Sequence, residues 1–198
     1  MPRKARELVD EGIYHVYNRG NNKMVLFREA ADYDFFRNCL GEAKRKYDPD
    51  LYHYCLMSNH FHLLLQVKRA QDLASFMHLV QMKYATYFAK RYGFVGHVFQ
   101  ERYRSPRIPL ESYYLQCGRY IERNPVKGGI VNRPEDYPYS SAAFYVSGRA
   151  DRVDDLITPN LYYQQMGSTE EERKRNYQLF LSLEEPYSGL LDQSILTA

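Results

Sequence analysis

Tryptophan is absent from this 198-residue sequence, and cysteine is scarce: Cys39, Cys55 and Cys117 stand far apart with no Cys-x-x-Cys. An odd, widely spaced trio argues against a disulfide framework and against a cysteine zinc site, and reads as small buried hydrophobes in a reducing compartment. A dominant charge is lacking too. Lys and Arg number 27 against 24 Asp and Glu, a net +3, so any nucleic-acid argument must come from local clusters. No run approaches the length of a membrane span, and Met1-Pro2-Arg3-Lys4-Ala5-Arg6 carries charge with no apolar segment after it, so a soluble cytoplasmic protein without membrane association is expected. Gly-x-Gly-x-x-Gly, a Walker loop, Gly-x-Ser-x-Gly and a sensibly spaced Cys-His pair are all missing, which moves dinucleotide, nucleotide-hydrolysis and serine- or cysteine-nucleophile chemistry out of first rank.

Aromatic residues are plentiful, with twenty Tyr and ten Phe. Their faces can stack unpaired bases, but for any single Tyr the plain reading is a half-buried core ring with a wet hydroxyl. The length fits one domain with an appendage. Ile13 to Asn18 alternates apolar and polar strand formers and closes on Arg19-Gly20-Asn21-Asn22. From Glu29 to Tyr47, Tyr33, Phe36, Leu40 and Ala43 recur at helical spacing. Leu51 to Met57 and Phe61 to Val67 read as strands of a hairpin linked by Ser58-Asn59. A second helix is expected from a cap at Asp72 to Gly93, broken strand-like pieces from Gly96 to Ile108, and a third helix from Glu111 to Arg123, ended at Asn124 by Pro125.

That order predicts an α+β fold: an antiparallel sheet with helices packed on one face. Residues 1–150 are expected to form the main domain and 151–198 a helical extension, in which Ser168-Thr169-Glu170-Glu171 reads as a capping box and Glu184 to Ala198 as loosely ordered.

Ser58-Asn59-His60-Phe61-His62-Leu63-Leu64-Leu65 puts two imidazoles at i and i+2 of a strand, hence on one face, opposite the apolar set Phe61, Leu63, Leu65 and Val67. On the third helix Tyr113, Cys117, Tyr120 and Asn124 follow at steps of four, three and four, so Tyr120 and Asn124 are neighbours across one turn. Two imidazoles and an amide oxygen would leave positions open on a divalent ion for substrate oxygens. Taken singly, each residue also has an ordinary structural role: a hydrogen-bonded sheet histidine, a core tyrosine, a turn asparagine. Arg102 and Arg104, if extended, project together toward a phosphate backbone, with Arg107 nearby, while Arg3, Lys4 and Arg6 form a second basic cluster. His15 and His53 lie in expected strands and His78 and His97 outside them, with ordinary roles as the default.

Tyr14-His15-Val16-Tyr17-Asn18-Arg19-Gly20, Met57 to Leu64, Phe99-Gln100-Glu101-Arg102-Tyr103, Tyr120-Ile121-Glu122-Arg123-Asn124-Pro125-Val126-Lys127 and Tyr137-Pro138-Tyr139-Ser140-Ser141 resemble, in order, the REP-associated tyrosine transposases, relatives of the single-tyrosine HUH transposases of bacterial insertion sequences. The resemblance covers about three quarters of the chain. It implies an HUH endonuclease fold of ferredoxin-like βαββαβα order with a four- to five-stranded sheet, His60 and His62 as metal-binding histidines, Asn124 as the polar ligand, and Tyr120 as nucleophile. It also implies Mg²⁺ or Mn²⁺ as cofactor and single-stranded DNA with hairpin-forming repeats as partner, cut through a covalent 5′-phosphotyrosine. Contacts from Arg102, Arg104 and Arg107 and from the N-terminal arm would grip that DNA. Either a monomer or a homodimer is compatible. A phenol of pKa about 10 is a weak nucleophile at neutral pH, which is why a metal on the scissile phosphate matters. Two other classes stay open: a domesticated hairpin-DNA-binding protein that no longer cuts, and a phosphodiesterase using the histidines with water.

Overall fold

Residues 8–108, 111–148 and 155–183 are described by a computed structural model. Three antiparallel strands, β1 (Gly12–Arg19), β2 (Asp50–Met57) and β3 (His60–Val67), stand in the order β1-β3-β2. Helices α1 (Ala30–Tyr47) and α2 (Ala70–Tyr92) pack on one face, and α3 (Glu111–Lys127) covers the other. Three helices follow: α4 (Ala142–Ser147), α5 (Leu161–Gln164) and α6 (Glu170–Ser182).

The period of two along β3 divides the molecule. Phe61, Leu63, Leu65 and Val67 join Tyr14 and Val16 of β1 and meet Phe36 and Leu40 of α1 and Phe76 and Val80 of α2 in one buried cluster. Each such side chain contributes roughly 1.5–3 kcal/mol by leaving water. On the other face, the register sets Tyr17 and Cys55 on either side of His62 and sets His15 and His53 on either side of Leu64. A one-residue irregularity in β2 between Leu51 and His53 produces this arrangement: it shifts the pairing by one and turns His53, Cys55 and Met57 toward the histidine face.

The α+β class and the antiparallel sheet are as expected, with two differences in detail. Among the described residues three strands are regular rather than four to five. The segment 99–107 still lines β1 through isolated bridges at Gly20, Tyr17 and Tyr14, and Ser140 bridges Cys55 on the other edge. Pro106 cannot donate to a ladder, which keeps the first of these from becoming continuous. Helices also occupy both faces, because Leu64 and Cys55 are apolar on the histidine face and need cover, supplied by Cys117, Tyr120 and Ile121 of α3. Gly118 allows the close approach: a Cβ there would lie 2.6 Å from His53 Nε2.

Three helix boundaries also shift. Arg69 caps α2, while Asp72 lies inside the first turn and accepts from the Arg69 guanidinium at 2.8 Å. The cap of α6 is Thr169, reciprocated by Glu172, one residue beyond the expected box. Helix α3 runs through Pro125 to Lys127. The ring removes the N–H that would meet Ile121 O, and Asn124 Nδ2 replaces it, donating to Ile121 O at 3.2 Å and to Tyr120 O at 2.9 Å. Leu156, Ile157, Tyr163, Tyr177 and Leu181 of the C-terminal segment are buried in the main core cluster. The expectation for Glu184 to Ala198 lies outside the described residues. No described helix is long and apolar enough to cross a membrane.

Candidate active site

The hairpin and α3 together place His60, His62, Tyr120 and Asn124 around one cavity of about 350 Å³, which Tyr17, Arg19, Lys23, Glu101 and Arg104 also line. His60 and His62 leave β3 on the same face, their rings perpendicular with centroids 5.0 Å apart. The Tyr120 ring lies 5.8 Å from that of His62 and 6.0 Å from that of His15. Tyr113, at the start of the expected helix stripe, is exposed at the surface, and Tyr114 is buried in its stead.

Each histidine has one ring nitrogen committed to the protein. His60 Nδ1 meets Asn59 Oδ1 at 2.7 Å, and His62 Nδ1 meets His15 Nε2 at 3.0 Å. Because Asn59 Oδ1 can only accept, His60 carries its proton on Nδ1 and presents Nε2 as a lone pair. The His15–His62 contact admits either tautomer; the one in which His62 Nδ1–H donates to His15 Nε2 presents the His62 Nε2 lone pair likewise. Burial holds His60 down to about 4, against a hydrogen bond with Asn124 that favours the charged ring. His15 is pushed down to about 3 by burial, and His62 well below the usual range by burial and by its two histidine neighbours. All three rings are therefore neutral at pH 7, the form that ligates metals.

The Asn124 amide is oriented by its surroundings. Two backbone carbonyls face one end of it, so that end must be Nδ2, and Oδ1 is left for His60. Two neutral imidazoles and an amide oxygen form a donor set suited to a divalent cation. Among the described residues no cluster of three His, Cys, Asp or Glu side chains gathers; Asn124 Oδ1 stands beside His60 as a neutral oxygen donor.

The basic residues separate. Arg104 bridges Tyr17 and lines the cavity, 3.4 Å from Glu101. Arg107 bridges Tyr14 farther along and lines a second cavity. Arg102 sits exposed in a bend and lines neither, so the premise that it projects alongside Arg104 from an extended segment does not hold. Arg3, Lys4 and Arg6 lie outside the described residues.

Three neighbours of the site were not singled out from the sequence. Tyr17 faces His62 across the sheet, with centroids 5.8 Å apart; its alternation with His15 in β1 was the available signal. Glu101 joins the cavity through the segment that Asn18 Nδ2 anchors by donating to Glu101 O at 2.8 Å. Lys127 places its ammonium 4.7 Å from the centre of the Tyr120 ring, as the i, i+7 spacing on one helix face allows. His53 also lies on this sheet face, but in a separate closed cluster. Its Nδ1 meets Glu122 Oε1 at 2.9 Å and its Nε2 meets Asn160 Nδ2 at 3.2 Å, while Glu122 also accepts from Ser141 Oγ and, at 2.7 Å, from the Tyr177 hydroxyl.

A family model described as "Transposase IS200 like" matches residues 8–124, a span that contains every residue lining the first cavity. Among solved structures, this chain is similar to a REP-associated tyrosine transposase bound to a REP hairpin, with a TM-score of 0.64, 18% identity, and coverage of 81% of this chain and 92% of that one. At that identity the likeness establishes a shared fold. A candidate transposase from Deinococcus radiodurans R1 follows at a TM-score of 0.43 and 17% identity, covering 62% and 97%. The tRNA(His) guanylyltransferase from Saccharomyces cerevisiae stands at 0.45 and 12%, covering 92% and 82%. Scores below 0.5 carry no further weight. No curated protein matches the sequence.

Proposed function

The chain belongs to the IS200-like transposase family, and from that membership we propose that it cuts and rejoins single-stranded DNA at hairpin-forming repeats through a 5′-phosphotyrosine on Tyr120. The observation that carries this reading is the meeting of Tyr120 with His60, His62 and Asn124 around one cavity, from two separate elements of a single chain. The REP hairpin held by the structural relative supports the choice of substrate.

The chain's own residues divide the work. His60 and His62 offer Nε2 lone pairs, and Asn124 offers Oδ1, as the cation-holding set. His15 Nε2, 3.0 Å from His62 Nδ1, holds that ring in the ligating tautomer when it takes the acceptor role. Mg²⁺ or Mn²⁺ bound there would act as a Lewis acid on the scissile phosphate and align it for in-line attack. Tyr120 attacks phosphorus as the phenolate, its proton passing to water; the phosphorus–oxygen bond to the 3′ side breaks and the departing 3′-oxygen takes up a proton to leave as a 3′-hydroxyl, so rejoining needs no nucleotide hydrolysis. Lys127, over the Tyr120 ring, and Arg104 at the cavity wall balance the charge of phosphate and phenolate. Elements after residue 150 form an extension that braces α3 from behind, where Arg119 Nε donates to Phe180 O at 2.8 Å.

The test is incubation of labelled hairpin DNA carrying single-stranded flanks with Mn²⁺ and either wild type or Tyr120→Phe. A denaturation-resistant protein–DNA adduct formed by wild type and lost on substitution is the expected result. Cutting that survives Tyr120→Phe would overturn the phosphotyrosine step in favour of a water nucleophile, and tight binding without cutting by wild type would favour the non-catalytic binder.

A further inference from the structure

A second cavity, of about 360 Å³, opens on the same sheet face at the opposite end of α3. The two cavities lie along β3, one around His60 and His62 and the other beside Gln66, and along α3, one around Tyr120 and the other beside Tyr114. Four residues of strand span roughly 13 Å and six of helix roughly 9 Å, so the centres are separated by about three to four stacked nucleotides at 3.4 Å each. One segment joins them. The bridges of Arg104 to Tyr17 and of Arg107 to Tyr14 keep residues 104–107 against β1, placing one arginine at each cavity.

The second cavity has a different character from the first. Its wall is aromatic: Tyr114 stands edge-on to Tyr52 with centroids 5.1 Å apart, and Tyr162 tilts against Tyr114 at 5.5 Å. Its polar groups are arranged as an acceptor. Gln66 Oε1 is taken by the Tyr52 hydroxyl, while Gln66 Nε2 donates to Glu11 O at 3.0 Å and Glu11 Oε2 at 3.2 Å, orienting the carboxylate. Glu11 itself has φ 54, a left-handed backbone that non-glycine residues adopt at a cost. It belongs to the turn in which Gly12 N donates to Val9 O at 3.2 Å, at the mouth of the cleft.

We infer that this cleft binds one unpaired nucleotide of the DNA strand whose scissile phosphate occupies the first cavity, and that it prefers a base with an exocyclic amino group. The inference rests on the DNA-cutting reading above. The tyrosines supply a stacking surface, which any base can use. Arg107 supplies the phosphate contact. The Glu11 carboxylate accepts from the exocyclic amino group of cytosine, adenine or guanine, whereas thymine offers only its N3–H, flanked on the same edge by two carbonyl oxygens that a carboxylate repels.

The experiment is an abasic scan of a hairpin oligonucleotide with six-nucleotide single-stranded flanks, read by fluorescence anisotropy at fixed salt, with wild type, Tyr162→Ala and Glu11→Gln. Both substitutions are at the rim, where neither side chain is buried, and matching thermal midpoints check their folding. One flank position is expected to lose roughly 5- to 100-fold in affinity when abasic, the range for one base stacked on an aromatic ring. In Tyr162→Ala that penalty should fall to about 2-fold or less. At the same position cytosine or adenine should bind about 10-fold better than thymine to wild type, and the preference should vanish in Glu11→Gln. A flat scan, or penalties unchanged in both variants, overturns the cleft. If wild type binds the bare hairpin and forms the Tyr120 adduct while the scan is flat, only this inference falls; if it does neither, the transposase reading falls and takes this inference with it.

Discussion

Two polar clusters meet α3 two residues apart, and they behave in opposite ways. Tyr120 and Asn124 face His60 and His62 around a cavity, whereas Glu122 points between them into the interior, toward His53, Ser141 and Tyr177. Both clusters contain histidines on the same sheet face, and both are largely removed from solvent. In the closed cluster both nitrogens of His53 and both oxygens of Glu122 have partners. In the open cluster His62 Nε2 has no hydrogen-bond partner among the described residues, and the rings border empty volume. Burial of a polar residue therefore says little about its role; the lone pairs left over after the protein's own hydrogen bonds say more.

The largest effect should come from the open cluster. Tyr120→Phe removes the attacking oxygen, so adduct formation and cleavage should fall on the order of 10³-fold or more, while chemical unfolding shifts by no more than about 1 kcal/mol. Glu122→Ala should show the reverse. It breaks a buried polar pair and strips partners from His53, Ser141 and Tyr177 at once, costing about 3–5 kcal/mol in unfolding free energy, with adduct yield per folded molecule retained. If Glu122→Ala abolished cleavage in protein shown by circular dichroism to be folded, the division between the clusters would be wrong.

Acid should attack the open cluster next. His15 is held down to about 3 and His60 to about 4, both below the ordinary 6.5. As pH falls below 6.5 the unfolded chain takes up these protons before the folded one. The stability associated with neutral rings is thus complete above pH 6.5 and lost progressively toward pH 4, at up to about 1.4 kcal/mol per pH unit for each histidine. Urea unfolding of metal-free protein between pH 7 and 4.5 measures the slope, and His15→Gln should flatten it by the share of one group. A slope unchanged by that substitution would mean His15 does not contribute.

The open cluster was the legible one. His60 and His62 follow from a period of two, and the Tyr120–Asn124 pair from steps of three and four, both local in sequence. The closed cluster was not legible, because Glu122 finds its partners 69, 19 and 55 positions away, on elements whose approach no periodicity encodes. His53 reaches the face of α3 only because β2 carries a one-residue irregularity, and nothing local in the sequence marks Gly118 as the residue that makes room for it. The cover that α3 gives the sheet could have been anticipated: Leu64 and Cys55 are apolar on the face assigned to polar work, and such residues call for a second layer. Pro125 misled for a chemical reason. The helix continues past it because the side chain of Asn124 supplies the donor that proline lacks.

Asn124 repeats the comparison inside one amide. Its Nδ2 does closed work, meeting the carbonyls of Tyr120 and Ile121, and its Oδ1 does open work beside His60. The two ends can be separated by substitution. Asn124→Asp keeps an oxygen toward His60 but sets a second oxygen against two carbonyls near a helix C-terminus, where negative charge is unfavourable. It should cost about 1–2 kcal/mol, a fall in thermal midpoint of roughly 2–8 °C for a chain of this size, while Mn²⁺ affinity by calorimetry stays within a few-fold of wild type. Asn124→Ala loses both ends, so a comparable loss of stability should come with a 10- to 100-fold loss of Mn²⁺ affinity. Equal Mn²⁺ affinity in the two variants would remove Asn124 from the cation-holding set and leave it as the donor that carries α3 past its proline.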